Sequence, residues 1–576
     1  MVHVKVVLLC KGRGGDAASY QPHRDESQWW NRRDALVRCV SAFLHGPSSA
    51  YCTSRELVLV HDEDWARMHV TKGDATPSEF NVISAWRDTA QHATSAPSAV
   101  ACKLVQSALP IAGADTVAAM ESKREVLEHL QKHCDMDFLR GHRLNSKPDV
   151  VLRKTNKQAL LRVWDEWTAT HGTTAASKKD VVKAIFHEML QPCDASIKRV
   201  IAATLHESSD AELPCFNTDL VPADDPSLQI VLFLGAVRDM TPTENNILQQ
   251  LCTTQNIALT GVRLGAVPEF TSKILSVIAY HQARGVLGPA LERACAAETE
   301  SPAAKRQKTT STSDVTSVPA HMHVVAAVPM ASSGVTTDLA SRSQALWAMV
   351  RLLVVTLWRS RIASSGAVPL TTALTFIFED AVALTLKQDE LVTALAEQHQ
   401  AAPSEYQILR ALCQYLTAAT PDADFASMAS RLVEASTIAI DVSAAAGERG
   451  LYEAFYTTGA AGGADDTTRL LVLVPLAPAL AGHDAVVAAC ARASVPLVSQ
   501  SLLPSREMAP AYDAEAAAVT MLQHLVYQQR LGSALASLAP KKPKKEKKAK
   551  KEKKTEKDKK AKKTKKEAID TTSAKP

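Results

Sequence analysis

The feature that most constrains this chain of 576 residues is an internal repetition of its own pattern. The segment ATPSEFNVI (75–83) is matched far downstream by AAPSEYQIL (401–409). Each is preceded by an apolar stretch that ends in acids, LVLVHD (57–62) in the first place and FIFED (376–380) in the second. Short continuous apolar runs bounded by polar residues predict buried strands.

Two further matches flank these segments in the same order. Helical patterns come before the acidic strands, at 33–43 and 343–353, and long apolar strands come after them, at 228–234 and 469–475. A fixed order of four matches is typical of a duplicated unit. The sequence therefore predicts two tandem α/β domains.

The domain boundaries follow from the repeats and from changes in composition. The first domain is predicted at 1–295 and the second at 320–537. A linker rich in Ser, Thr, Pro and Ala is predicted at 296–319, and a disordered basic tail at 538–576. The first domain is longer because a charged, helical insert at about 118–215 has no match in the second.

The insert contains helical patterns at 122–130, 149–167 and 178–190. Arg153, Lys154 and Lys157 lie close to Trp164 and Trp167, which is a combination that RNA contacts use. At helical spacing the two tryptophans, with Leu160 and Leu161, are better explained as a small core, which leaves the cations for solvent.

Composition limits the class of protein. Hydrophobic residues make up 46% of the chain and charged residues 22%, and no apolar run reaches the roughly 18 residues that a bilayer span requires. We therefore expect no membrane association. The N-terminus is predicted to form a strand and lacks the features of a signal peptide. Eleven cysteines occur without a CxxC pair, so we expect an intracellular protein with no metal site.

Positive charge is concentrated in the tail. Residues 541–567 contain seventeen lysines and five acids, a local charge of +12, whereas the whole chain carries +4. Since Asp570 and Lys575 cancel, residues 1–540 carry −8. Such a tail can attract RNA through counterion release, or it can serve solubility and localisation, and both roles remain open. The basic cluster PAAKRQK (302–308) has the pattern of a nuclear import signal, so a nuclear and nucleolar location is expected.

The best candidate for a functional site lies at the end of the predicted strand 228–234. That strand ends at Leu234 and Gly235, and a loop then leads to a helix with Thr241 as its cap and Glu244 three residues later. This spacing predicts a capping box. Parallel α/β sheets bind ligands at the carboxyl ends of their strands, and a glycine there admits a ligand close to the backbone.

The next strand repeats this arrangement. It ends at Leu264 and Gly265, and Thr271 and Ser272 are predicted to open the helix that follows. The two glycine-bearing strand ends are expected to face each other across a cleft.

Residues 228–285 resemble the cofactor half of the SPOUT (trefoil-knot) RNA methyltransferases, in particular the branch that methylates uridine N3 of ribosomal RNA. The resemblance implies two tandem SPOUT-like α/β-knot domains that form an intramolecular pseudodimer, so that one chain suffices as the functional unit. It also implies that S-adenosylmethionine is bound by the six residues of the two strand ends and the following helix: Leu234, Gly235, Leu264, Gly265, Thr271 and Ser272.

The sequence also departs from that family. The glycines expected after Gly235 are replaced by AVRD (236–239), and the arginine expected in the later loop is replaced by VPE (267–269). Arg238 and Glu269 are the candidate catalytic residues, which would stabilise charge during the reaction. The second domain is expected to have a degenerate site, because Pro475 and Ser501 stand where the first domain has glycines.

Two functions therefore remain open. The first is S-adenosylmethionine-dependent methylation of a nuclear RNA, with ribosomal RNA as the expected class and with the tail and the insert as RNA contacts. The alternative is a non-catalytic RNA-binding scaffold, or ribosome-biogenesis factor, derived from a methyltransferase. Binding of S-adenosylmethionine distinguishes the two, because only the first requires it.

Overall fold

The protein is a mixed α/β molecule with two sheets that are rich in parallel pairs. A computed structural model describes residues 2–11, 33–45, 54–62, 65–73, 78–79, 81–85, 102–107, 122–171, 178–206, 209, 211–213, 223, 225–236, 238–264, 271–300, 320–337, 343–357, 372–387, 405–419, 422, 424–434, 436, 438–442, 468–499, 519–520 and 522–523. The predicted import signal and the lysine-rich tail lie outside these residues.

The first sheet has eight strands in the order β4-β3-β2-β1-β7-β5-β8-β6. Strand β1 lies parallel to both β2 and β7, β5 lies parallel to both β7 and β8, and β3 joins β2 as an antiparallel hairpin. The strand bounds are β1 His3–Cys10, β2 Arg55–His61, β3 Arg67–Lys72, β4 Cys102–Ser107, β5 Arg199–Leu205, β6 Ala211–Glu212, β7 Leu228–Gly235 and β8 Ala258–Arg263.

The second sheet has six strands in the order β11-β10-β9-β13-β12-β14. Strand β9 lies parallel to β10 and β13, β12 lies parallel to β13 and β14, and β11 forms an antiparallel hairpin with β10. The bounds are β9 Ala320–Ala327, β10 Thr372–Ile377, β11 Ala383–Lys387, β12 Ile438–Asp441, β13 Thr468–Pro475 and β14 Leu497–Ser499.

The described helices are numbered along the chain. Their bounds are α1 Arg33–Leu44, α2 Lys123–His133, α3 Met136–Gly141, α4 Pro148–Lys154, α5 Lys157–His171, α6 Lys178–Met189, α7 Pro242–Gln255, α8 Thr271–Ala283, α9 Leu287–Glu300, α10 Gln344–Leu357, α11 Glu405–Ala418, α12 Phe425–Val433 and α13 Ala481–Arg492. None of the helices in this described part combines the length and apolar character that a membrane crossing needs. Because α9 continues to Glu300, the linker expected from 296 begins later.

Six strands of the first sheet have counterparts, in the same order and with the same pairing, in the second. Strands β7 and β13 hold the same position, each between the first strand of its sheet and β5 or β12. The expected equivalence of 228–234 and 469–475 is confirmed for their position in the sheet and their strand pairing.

The predicted extent of the insert was wrong at its C-terminal end. Strand β5 (Arg199–Leu205), which falls inside 118–215, is a central strand that matches β12. Helix α6 also belongs to the main fold, because Val182, Ile185 and Phe186 pack in one apolar cluster with β7. Residues 122–171 form a separate helical module, with a core of its own.

Core packing in this helical module agrees with the expected role of its tryptophans. Leu160, Trp164 and Trp167 are buried, Leu161 is partly buried, and all four belong to one cluster. Arg153 lies on the exposed side. The apolar spacing therefore forms a core, as predicted.

Candidate functional site

The carboxyl ends of β7 and β8 lie at the same edge of the first sheet, but they are not neighbours. Strand β5 pairs with both and stands between them. The two glycine-bearing ends were expected to face each other across a cleft; the strand that lies between them, β5, had been assigned to the insert. The candidate site therefore spans three strand ends, and Leu205 is the end of β5.

Gly235 ends β7 because the chain folds back immediately after it. A Cβ atom at this position would overlap the carbonyl oxygen of Arg238. The glycine is thus required by the turn itself, independently of any ligand.

Thr271 connects the start of α8 to the end of β7. Its Oγ1 donates a hydrogen bond to the carbonyl oxygen of Gly235 at 2.8 Å. Two of the predicted site residues, far apart in sequence, are therefore in contact. Ser272, the next residue, lines a cavity beside α1 and α10.

Apolar side chains form a partly exposed floor at this edge. Leu205 is the last residue of β5, Ala236 follows β7 and Leu264 follows β8, and each packs half-buried against the main apolar cluster. Leu234, the last apolar residue of β7, is fully inside that cluster. Such a floor beside the polar Thr271 suits the flat, weakly polar ring of a nucleoside, so the residues present fit the expected cofactor.

The predicted capping box is present at the start of α7. The Thr241 Oγ1 accepts a hydrogen bond from the Glu244 N–H at 3.2 Å, and Glu244 Oε2 accepts one from the Thr241 N–H at 2.8 Å. Pro242 occupies the first turn, as expected.

Arg238 is held by two carboxylates rather than directed to solvent. Its Nη1 and Nη2 each donate to a Glu244 oxygen at 2.8 Å, and its Nε lies 3.2 Å from Asp62 Oδ2 at the end of β2. Burial disfavours charge on Glu244, but the Arg238 hydrogen bonds and the Thr241 N–H outweigh it and lower the pKa of Glu244. Burial also disfavours charge on Arg238, yet Glu244 and Asp62 raise its pKa. Arg238 therefore ties β2 to α7, and in this position it is a structural cation.

Gly265 and Glu269 lie outside the described residues, so the predicted roles of both remain predictions. The residues that the structure does describe contain no group of three or more His, Cys, Asp and Glu side chains that could hold a metal ion.

In the second sheet, hydrogen bonds locate the equivalent strand ends. The N–H of Ala236 donates to Leu9, and the N–H of Leu476 donates to Ala327 in the same way. Pro475 thus corresponds to Gly235 and Leu476 to Ala236. Proline has no N–H to donate, which fits the expectation of a degenerate site.

The second sheet also contains an ion pair that sequence reasoning missed. His483, in the first turn of α13, places its Nε2 3.2 Å from Oδ1 of Asp441 at the end of β12, and its Nδ1 3.6 Å from Asp484. Burial disfavours a charged imidazole, but Asp441, with a smaller contribution from Asp484, raises the pKa of His483. The only signal in the sequence was an acid at a strand end, and nothing in it identified the histidine as its partner.

The two halves meet through reciprocal contacts between equivalent positions. The N–H of Glu79 donates to Glu405 Oε2 at 2.7 Å, and the N–H of Glu405 donates to Glu79 Oε2 at 2.7 Å. These glutamates hold the same place in the repeated PSE motifs. Arg351 of α10 donates to the Oγ of Ser41 in α1 at 2.8 Å, and these two residues are also equivalent in the repeat alignment.

Comparison with models of known protein families gave no match, and comparison with curated proteins gave none either.

Proposed function

We propose that the chain is an S-adenosylmethionine-dependent RNA methyltransferase with its cofactor site in the first half. The observation that supports this most is the contact between Thr271 and Gly235 at 2.8 Å, beside an apolar floor formed at three neighbouring strand ends. Ligands of parallel α/β folds bind at this edge. The sequence resemblance to trefoil-knot methyltransferases concerns the same residues.

The paired architecture supports the same proposal. An isologous contact places the same surface of each partner against the other, so residue i meets j and j meets i. The Glu79 and Glu405 contacts follow this rule within one chain. We infer a tandem pair of knot-type domains that form an intramolecular pseudodimer, in which the second half serves as the scaffold for the first.

When bound, S-adenosylmethionine would supply a methyl group on a sulfonium, ready for in-line transfer to a nucleophile. Leu264, Leu205 and Ala236 would hold the nucleoside against the apolar floor, and Thr271 fixes the start of α8 beside it. Holding two reactants in line supplies much of the rate of such a transfer. Arg238 keeps the turn after Gly235 closed through Glu244.

RNA is the proposed substrate because of the lysine-rich tail, which carries +12 within 541–567. Neutralising phosphates with lysines gives strong binding without sequence preference. The exposed Arg153 and Lys154 of the helical module are a second candidate surface. With the basic cluster at 302–308, these features lead us to propose a nuclear, nucleolar protein that acts on ribosomal RNA.

A matched pair of variants tests the cofactor site. Ala236→Glu places a charge on the proposed floor, whereas Leu476→Glu places one at the equivalent position of the second half. Calorimetric titration of the wild-type chain with S-adenosylmethionine should give a saturable signal. Ala236→Glu should weaken binding at least about tenfold, the equivalent of 1.4 kcal/mol, and Leu476→Glu should leave it unchanged. Equal losses in both variants would contradict a single site in the first half.

The alternative function is a non-catalytic RNA-binding scaffold. It is favoured by Arg238, whose guanidinium is held by Glu244 and Asp62, and by Gly235, which the turn requires for steric reasons alone. A wild-type chain that binds RNA but gives no heat with S-adenosylmethionine would establish the scaffold and overturn the methyltransferase proposal.

A further inference from the structure

A cavity of about 570 Å³, including its open mouth, lies where α1, α8 and α10 meet the start of α11. It therefore lies between the two halves of the chain, and it includes none of the floor residues Leu205, Ala236 and Leu264. Valines of α1 and α10 form its apolar walls. Its polar lining consists of Arg38, Ser41, Ser272, Lys273, Ser276, Arg351 and Glu405.

The charge of this lining is predominantly positive. Three of its side chains are cations, and Glu405 is the one acid among the lining residues. Lys273 is only 3% exposed and Arg351 only 8% exposed. Cations that line one wall of a cavity give it a positive potential, and such a potential favours an anionic ligand.

Contacts with the protein hold these groups in position. Arg351 donates to the Ser41 hydroxyl at 2.8 Å, and Lys273 Nζ donates to Gln523 Oε1 at 2.7 Å. Gln523 in turn donates to the carbonyl oxygen of Thr356 at 3.2 Å. The Glu405 carboxylate is anchored to the N–H of Glu79. Arg351 and Lys273 are therefore fixed before any ligand arrives, which reduces the entropy lost on binding.

We propose that this cavity binds a phosphate group across the two halves of the chain. Guanidinium and ammonium groups form strong, charge-assisted hydrogen bonds with phosphate oxygens. Because α1 and α8 belong to the first half and α10 to the second, the bound phosphate stabilises their association. The group can come from a free small phosphate or from an RNA backbone.

The test is a calorimetric titration of the full-length chain with inorganic phosphate, at ionic strength held constant with chloride. We expect saturable binding in the wild type and at least a roughly tenfold weaker affinity in both Arg351→Met and Lys273→Met. Arg351→Lys, which keeps the charge, should retain part of the affinity. The control is Arg431→Met, a 66% exposed arginine on α12, and it should bind phosphate like the wild type.

Two further results decide the proposal. Circular dichroism without phosphate must show that each variant is folded. If Arg351→Met is not folded, the test of the site uses Lys273→Met. A short single-stranded oligoribonucleotide that displaces phosphate identifies the RNA backbone as the source, and failure to displace it identifies a free phosphate; either result supports the site. Phosphate binding that is absent in the wild type, or unchanged in both Met variants, would overturn it.

Discussion

At the scale of single residues, the buried pair of His483 and Asp441 couples stability to pH. Burial lowers the pKa of His483, but the hydrogen bond and charge of Asp441, together with Asp484, outweigh it and raise the folded-state pKa above its ordinary value of 6.5. A raised pKa means that the folded state holds the proton more tightly than the unfolded chain. Its stabilising contribution is complete below about pH 6.5 and is lost as the pH rises through the folded pKa.

We therefore predict that His483→Gln destabilises the protein by about 1.5 kcal/mol at pH 5.5 and by much less at pH 9, where the wild type has also lost the charged pair. Urea unfolding at the two pH values measures this difference. Asp441→Asn removes the charged partner of His483, so it should abolish the same pH dependence of stability. A His483→Gln deficit that is equal at both pH values would show that the ion pair contributes nothing.

Residue-scale prediction from sequence succeeded where the chemistry is local. The Thr241 and Glu244 capping box needs only a spacing of three, and it was found as expected. The role of Arg238 could not be foreseen, because its second partner, Asp62, is brought to it by the pairing of β1 with both β2 and β7. A side chain's role depends on which strand ends the topology brings together.

At the scale of elements, the helical module is the clearest unit. Its core, which includes Leu160, Trp164 and Trp167, forms a cluster separate from those of the two sheets. The His129 and Trp164 rings make a T-shaped contact with centroids 4.7 Å apart. A cluster that shares no members with the main core can unfold without it.

Trp164→Ala should therefore cost about 3–5 kcal/mol within the module and leave the sheets intact. Hydrogen exchange should show lost protection at 122–171 and unchanged protection in β1 and β7. The matched control is Trp347→Ala in α10, which is 1% exposed and belongs to the main cluster, so it should lower protection in the sheets instead. Loss of protection throughout the chain on Trp164→Ala would contradict the separation.

Element prediction failed at two places for identifiable reasons. The pattern at 149–167 predicted one helix, but α4 ends at Lys154 and Asn156 begins α5 by accepting a hydrogen bond from the Ala159 N–H at 2.8 Å. Asparagine is a preferred cap, and this signal was overlooked. Strand β5 was assigned to the insert because its match with β12 is one of position in the sheet, which the sequence does not display.

At the scale of the whole molecule, the association of the halves depends on buried reciprocal contacts. Glu79 and Glu405 are 3% and 7% exposed, and each accepts a backbone N–H of the other. Removing one carboxylate leaves a buried N–H without that acceptor, which typically costs about 1–3 kcal/mol.

Glu79→Ala and Glu405→Ala should accordingly destabilise the protein by similar amounts in that range. Because each contact joins the halves, exchange should rise in both β1 and β9 in either variant. Glu434→Ala, at an exposed position on the second half, should change stability by less than about 0.5 kcal/mol. The symmetric arrangement would be refuted if the two alanine variants differed widely, or if only one sheet responded.

Repetition in the sequence predicted the two-sheet architecture because periodic apolar patterns are set by burial. The repeat aligns Ser41 with Arg351, but their contact could not be predicted from it. A repeat shows which positions are similar in sequence and does not show which positions touch.

The position of β7 between β1 and β5 also determines when the first sheet can form during synthesis. Val4 pairs with Ile230, so the edge of β1 that does not pair with β2 must wait for a partner on the far side of the helical module. Pairings of such long sequence separation form slowly. The described core of the module is formed by residues within 122–171, so the module can fold while that wait continues, and it shortens the span of flexible chain that β1 must search. The nascent chain would thus expose the apolar edge of β1 for most of the translation of the first half, and chaperones would find their binding site there.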